Sequence, residues 1–215
     1  GKATAEVFAK QGHRLIICGR RKEVLDNLQI QLSNFTDVYS LVFDVRNQQE
    51  VQNAINSLPE DWKNIDVLVN NAGNAHGLEP ISDANISDWD AMMDGNVKGL
   101  LYVSQPIIKL MKANNSGHIV NISSVAARQT YANGTVYCAS KKAVDVISEG
   151  MRLELTEFGI KVTNVQPGAV ETDFSKVRFK GDEERAATVY AGYEPLIAED
   201  IADAISYCVN APDRV

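Results

Sequence analysis

Five short apolar runs, at residues 14–18, 39–43, 65–69, 118–122 and 161–165, alternate along the chain with longer segments whose apolar residues recur at helical spacing. No β-hairpin signal joins one run to the next. The pattern therefore predicts parallel βαβ units, an α/β chain folded as a Rossmann-like doubly wound sheet in three α/β/α layers. Helices are expected over residues 2–11, after Arg21 with Val24, Leu25, Leu28 and Leu32 at helical spacing, over 47–58, 87–111 and 136–158, and over 198–209, with Gly12 and Gly159 as stops. A helix comes before the first run, and such a helix usually follows a strand of its own unit. The chain also stops soon after Pro212, where one more strand is expected. The expectation is one domain over residues 1–215, truncated at both ends, with a segment at 174–193 that breaks the alternation and covers a pocket.

Parallel strands bring their C-terminal ends to one edge of the sheet, and ligands of open α/β sheets bind there. The residues that follow the runs are therefore the candidates for chemistry. Arg20 and Arg21 follow the first run. Cations sit poorly beside the positive end of the next helix, and a phosphate ligand would resolve that mismatch, although two solvated charges are the plainer alternative. Asp44 follows the second run, and Asn70-Asn71-Ala72-Gly73 the third. The last four either let the backbone approach a ligand closely or simply make a turn. Ser123 and Ser124 follow the fourth run, and the turn from Gln166 to Thr172 the fifth. Asn96 and Gly99 sit inside the predicted 87–111 helix, where both are weak formers, so that the helix bends there or Asn96 is used.

Tyr137 and Lys141 lie four residues apart on one helical face, and Ser124 stands just upstream. A hydroxyl, a phenol and an ammonium can thus converge. A nearby ammonium favours the ionised phenol, and Lys141 at that spacing, assisted by a cationic cofactor ring, is expected to draw Tyr137 down from its usual value of about 10.

Lysine and arginine number 21 against 28 acidic residues, a net charge of −7 that argues against a nucleic-acid surface and for small soluble ligands. Three scattered cysteines without metal-like spacing fit a reducing, cytoplasmic setting and no metal site. No apolar run reaches the roughly 18 residues of a membrane span.

Taken together, Asn70-Asn71-Ala72-Gly73, Asn96, Ser124, Tyr137-x-x-x-Lys141 and Pro167-Gly168 resemble the short-chain dehydrogenase/reductase family in order and spacing. The resemblance extends over essentially the whole chain, with Gly1 at the last glycine of the family's Thr-Gly-x-x-x-Gly-x-Gly fingerprint. It implies Tyr137 as general acid/base, Lys141 as the group that lowers its pKa and holds the nicotinamide ribose, Ser124 as the orienter of the substrate oxygen, and Asn96 as the holder of a relay water. It implies NADP as cofactor, with Gly1, Arg20, Arg21, Asp44, Val45, Asn71, Ala72, Gly73, Pro167, Gly168, Val170 and Thr172 at its site. Residues 174–190, with Arg178-Phe179-Lys180-Gly181 at their centre, are similar to the family's NADP-dependent 3-hydroxy acid dehydrogenases, which act on serine, allo-threonine and related acids. Gly95 departs from that pattern, where a larger residue is usual. A carboxylate substrate needs a cation, for which Arg178, Lys180 and Arg128 are the candidates. A 3-oxoacyl carrier-protein reductase or a ketone or sugar reductase shares every catalytic residue. A non-catalytic NADP(H)-sensing protein is the third alternative, against which the intact Ser124, Tyr137 and Lys141 stand. The family's habit of pairing its two long helices implies a homodimer or homotetramer.

Overall fold

The computed structural model describes residues 1–212, 214 and 215. The chain opens on helix α1 (Lys2–Lys10), which buries Ala3, Thr4, Phe8 and Ala9, and Gly12 turns it toward the sheet with φ +82°. Strand β1 (Leu15–Gly19), helix α2 (Lys22–Leu32), strand β2 (Val38–Val42), helix α3 (Gln48–Asn56) and strand β3 (Val67–Asn70) follow in turn. Helix α3 starts where Asn47 accepts hydrogen bonds from the backbone N–H groups of Gln49 and Glu50, as an N-cap residue does.

Next come helix α4 (Ile86–Met93), a π-helical turn (Asp94–Lys98) and helix α5 (Gly99–Asn114) in unbroken succession. The predicted 87–111 helix is therefore continuous but changes register around Asn96. Strand β4 (Gly117–Ile122), helix α6 (Thr135–Leu155) and strand β5 (Ile160–Val165) complete the alternation. Short helices α7 (Phe174–Arg178) and α8 (Glu183–Thr188) and the terminal helix α9 (Ala198–Asn210) close the chain. Every predicted strand is found within two residues of its expected limits, whereas α7 was not anticipated. Between α7 and α8 the backbone turns at Lys180 (φ +55°) and Gly181 (φ +95°).

All strand pairs are parallel. Leu15 pairs with Val38 at the start of one ladder, Val67 with His118 in the second and Gly117 with Ile160 in the third. β1 and β2 form one ladder, β3, β4 and β5 form another, and among the described residues no ladder joins them.

Packing makes the two ladders one layer. Alternate side chains of a strand point to opposite faces. On one face Ile16, Leu41, Leu68, Ile119 and Val162, drawn from all five strands, share a core with Val51 and Ile55 of α3, Ile107 and Met111 of α5, and Val144 and Met151 of α6. On the other, Leu15, Val69, Val120 and Val165 pack against Phe8 of α1 and Ile201 and Ile205 of α9. Ile17 and Val38 meet Leu25, Leu28 and Leu32 of α2 on that same side. The result is α/β/α in cross-section, with the C-terminal ends of all five strands on one edge.

Candidate active site

The first turns of α6 bury Tyr137, Cys138, Ser140 and Lys141 against β4, and Tyr137 and Lys141 are only 9% and 6% exposed. Lys141 donates from Nζ to the Ile122 carbonyl at 2.9 Å, while the Ser123 hydroxyl donates to the Lys141 carbonyl at 2.9 Å. Ser124 caps a single 3-10 turn (Val125–Ala127), its Oγ accepting from the Ala126 N–H at 3.1 Å. Ser124 is also hydrogen-bonded to the Tyr137 phenol. The end of β4 and the start of α6 thus converge as the sequence predicted.

Asn96 sits in the π-helical turn, 2% exposed. Its Oδ1 accepts from the Asn74 N–H at 2.7 Å, and its Nδ2 donates to the Asn74 carbonyl at 2.8 Å and to Ser140 Oγ at 3.0 Å. The helix thus takes a π-helical turn where Asn96 sits, and the amide stitches the loop after β3 to α6. π-helical turns often occur at functional sites. Gly95 also has a reason, because a Cβ there would lie 2.6 Å from Asn74 Nδ2. Beneath the site, Asn70 donates to Ser104 and Asn121, and Asn121 donates to Ser148, all buried. This network went unread in the sequence, since nothing in the spacing pairs these four residues.

Lys141 by itself does not draw Tyr137 down. Burial pushes the Tyr137 phenol up to about 12; the Ser124 hydrogen bond pulls the other way, and so does the Arg178 guanidinium. Lys141 is not what moves it. Its ammonium lies 6.0 Å from the phenol ring centroid and is turned to the Ile122 carbonyl, and burial lowers its own pKa to about 8. Helical spacing put the two side chains on one face, but Lys141 spends its length reaching the strand end.

Along the ligand edge, Asn71, Ala72 and Gly73 are exposed. Gly1 N donates to Asn71 Oδ1 at 3.0 Å. A Cβ on Gly73 would meet Asn96 Oδ1 and Lys141 Nζ, both at 3.3 Å, so this glycine brings open backbone to the site floor. Pro167 accepts from the Val125 N–H at 3.0 Å, and the space around Gly168 is empty to 4 Å. Val170 bridges to Leu196 and accepts from the Tyr190 hydroxyl, and the Thr172 hydroxyl accepts from the Phe174 N–H. Arg20 and Arg21 are exposed at the end of β1, and the Arg21 guanidinium has no partner among the described residues.

Arg20 stands 3.7 Å from Asp44 Oδ2. Arg46, which the sequence reading passed over, holds the same carboxylate far more tightly, with Nη2 at 2.6 Å and Nε at 3.0 Å. That grip, against a smaller cost of burial, keeps the Asp44 carboxyl below its usual range. An Asp-x-Arg step at a strand end was the available signal. Val45 packs against Gly99, where a Cβ would lie 2.8 Å from Val45 Cγ2.

Opposite this edge, α7 covers Tyr137. Phe174 meets the Tyr137 ring edge-on at 5.8 Å between centroids. Arg178 Nε donates to the Gly77 carbonyl at 3.1 Å, and the Gly77 N–H donates to the Arg178 carbonyl at 3.0 Å. The Arg178 guanidinium carbon lies 5.6 Å from the Tyr137 centroid. The other candidate cations are placed differently: Lys180 pairs with Asp88 at 2.9 Å, and Arg128 donates to Gln166 at 2.7 Å. A cleft between these parts is lined by His76, Gly77, Asp88, Trp89, Tyr137 and Arg178, among others.

A hydroxyl, a phenol and an ammonium at strand and helix ends, beside a glycine-floored edge with two exposed arginines, suit a dinucleotide and an alcohol or carbonyl. A family model described as short chain dehydrogenase matches residues 1–183, and the chain belongs to that family. NADP-dependent 3-hydroxy acid dehydrogenase YdfG of Salmonella typhi is 42% identical over 216 residues, covering all of this chain and 86% of the relative. Sulfoacetaldehyde reductase 2 of Chromohalobacter salexigens is 39% identical over the same shares. Among solved structures, a closed form of serine dehydrogenase complexed with NADP+ superimposes with a TM-score of 0.95 at 40% identity, covering all of this chain and 86% of the other. The protein is an NADP-dependent oxidoreductase that acts on a CH–OH group. Among the described residues, no helix is long and apolar enough to cross a membrane.

Proposed function

We propose that this protein interconverts a short 3-hydroxy acid of the serine, allo-threonine or 3-hydroxypropionate type and its 3-oxo acid. The observation that carries the reading is Arg178, a half-buried cation beside Tyr137 that has no carboxylate partner among the described residues. A half-buried charge without a counter-ion is costly, and an acid group on the substrate would relieve that cost.

Arg20 and Arg21 would take the 2′-phosphate of NADP, and Asp44, Val45, Asn71, Gly73, Val170 and Thr172 would line the rest of its site. Bound NADP+ supplies the acceptor for the hydrogen and electron pair lost at carbon 3. Tyr137 accepts the proton of the substrate hydroxyl, and in the reverse direction its phenol returns a proton to the same oxygen. Ser124 donates a hydrogen bond to that oxygen as charge develops on it. Lys141 holds the ribose side of the site, beside Gly73. Burial holds the phenol protonated in the protein alone, the form that donates a proton in the reduction direction.

The Chromohalobacter relative supports a second reading, a short aldehyde carrying a sulfonate, since a guanidinium also binds that group. We also retain the homo-oligomer, which exposed Leu101 on α5 and Val146 and Leu153 on α6 support. The deciding experiment follows NADPH with L-serine, L-allo-threonine, 3-hydroxypropionate and 3-hydroxybutyrate, and in reduction with sulfoacetaldehyde and an acetoacetyl carrier thioester. The 3-hydroxy acid reading predicts the highest kcat/KM among the first four. Turnover of the thioester alone would overturn it in favour of a carrier-protein reductase.

A further inference from the structure

Arg178 does not stand alone at the mouth of the cleft. Residues 131–134 form a tight turn in which the Gly134 N–H donates to the Tyr131 carbonyl at 3.2 Å and Asn133 takes φ +66°. The turn folds the Tyr131 ring back over Gly134. A Cβ on Gly134 would lie 2.0 Å from Tyr131 Cε2 and 2.5 Å from Cζ, so the ring occupies a slot that only glycine leaves open. From there it faces the guanidinium, whose carbon is 5.5 Å from the Tyr131 centroid and 5.6 Å from that of Tyr137. The cation is held between two aromatic rings, with Nε spent on the Gly77 carbonyl. Neighbouring cations on and between α7 and α8 are neutralised: Lys180 by Asp88, Arg185 by Glu79 and Lys176 by Glu183.

We infer that Tyr131, seated in the Gly134 slot, is a specificity-determining positioning residue that braces Arg178, by its ring and its hydroxyl, so that the guanidinium meets the acid group of the substrate. This rests on the assignment of Arg178 proposed above. A guanidinium on a flexible side chain loses orientation unless something fixes its plane, and an aromatic face does so while adding attraction for the charge. The bond from Nε to Gly77 fixes one edge and leaves the other for a carboxylate. Substrate acid and reacting oxygen are then registered to the same pair of rings. The Tyr131 phenol is also hydrogen-bonded to Arg178; burial pulls its ionisation upward, and the cation's charge and this bond oppose that pull.

The test compares 3-hydroxypropionate with its uncharged methyl ester in wild type and in Tyr131→Ala, Tyr131→Phe, Gly134→Ala and Arg178→Ala. Gly134 has φ −104°, which alanine adopts freely, so the added methyl acts by evicting the Tyr131 ring. Tyr131→Ala and Gly134→Ala should each lower kcat/KM for the acid by about 10-fold, mostly through KM, the size of a desolvated cation–π contact. The ester should stay within about 2-fold, and Tyr131→Phe, which keeps the ring but loses the hydroxyl's bond to Arg178, should fall between wild type and Tyr131→Ala. Combining Tyr131→Ala with Arg178→Ala should cost no more than Arg178→Ala alone. Equal losses for acid and ester, no loss for either, or a Tyr131→Phe as poor as Tyr131→Ala would overturn the inference. If Arg178→Ala abolishes the preference for the acid while Tyr131→Ala and Gly134→Ala keep it, only the brace falls. A wild type with no such preference, or an Arg178→Ala that retains it, removes the Arg178 assignment itself.

Discussion

Lys141 is held in place at the expense of stability, and replacing it with methionine should make the protein harder to unfold. The ammonium is nearly enclosed, and burial lowers its pKa from 10.5 to about 8. At about 1.36 kcal/mol per pKa unit, the folded state at pH 7 is penalised by about 3 kcal/mol relative to a neutral group in the same place. Methionine leaves the Ile122 carbonyl without the donor it has at 2.9 Å, which takes back about 1 kcal/mol. The net gain of about 2 kcal/mol should raise Tm by about 4–8 °C in a chain of this size. The sign with pH follows from the folded pKa lying below the unfolded one. The penalty is full below about 8 and fades as pH rises toward 10.5, where the unfolded chain also gives up the proton. Thermal unfolding followed by circular dichroism at pH 7 and pH 10 measures both parts. Lys141→Met should melt higher at pH 7, with most of the desolvation advantage gone at pH 10, and should be catalytically dead. A variant that melts at or below wild type at pH 7, or whose advantage is the same at both pH values, refutes the reasoning.

The cofactor edge gives two more expectations. Arg20→Asp should weaken NADPH binding by at least about 10-fold and NADH by much less, because a carboxylate repels the 2′-phosphate and suits a ribose hydroxyl; quenching of protein fluorescence on titration measures it, and equal loss for both would refute the assignment. Gly99→Ala should cost about 1–2 kcal/mol in denaturant unfolding, because its methyl meets the stiff Val45 side chain at 2.8 Å and strain there exceeds the gain in helix propensity. An unchanged midpoint would show that Val45 gives way freely.

The five strands and the convergence of Ser124, Tyr137 and Lys141 were legible because period and turn chemistry are local properties of the chain. What escaped was set by tertiary contact. The direction of the Lys141 ammonium depends on where the Ile122 carbonyl falls, and no helical spacing reports that. Arg46 captures Asp44 across two residues, a pairing legible in principle but hidden beside the more conspicuous Arg20 and Arg21. Asn96 offered two local explanations, and its bonds to Asn74 and Ser140, across 22 and 44 residues, could not be read from either. Of three candidate cations near one another in the chain or the fold, distances to Asp88, Gln166 and Tyr137 separate Lys180, Arg128 and Arg178. The slot at Gly134 is likewise a contact property, visible only once the Tyr131 ring lies on it.

The assignment of Tyr137 as the acid/base group is tested most directly by Tyr137→Phe, which removes one hydroxyl and keeps the ring that meets Phe174. Turnover of the best substrate from the panel should fall by about 10²-fold or more, the usual worth of a positioned acid or base, while NADPH binding stays close to wild type. Retention of a tenth of the activity or more, with NADPH binding intact, would contradict it.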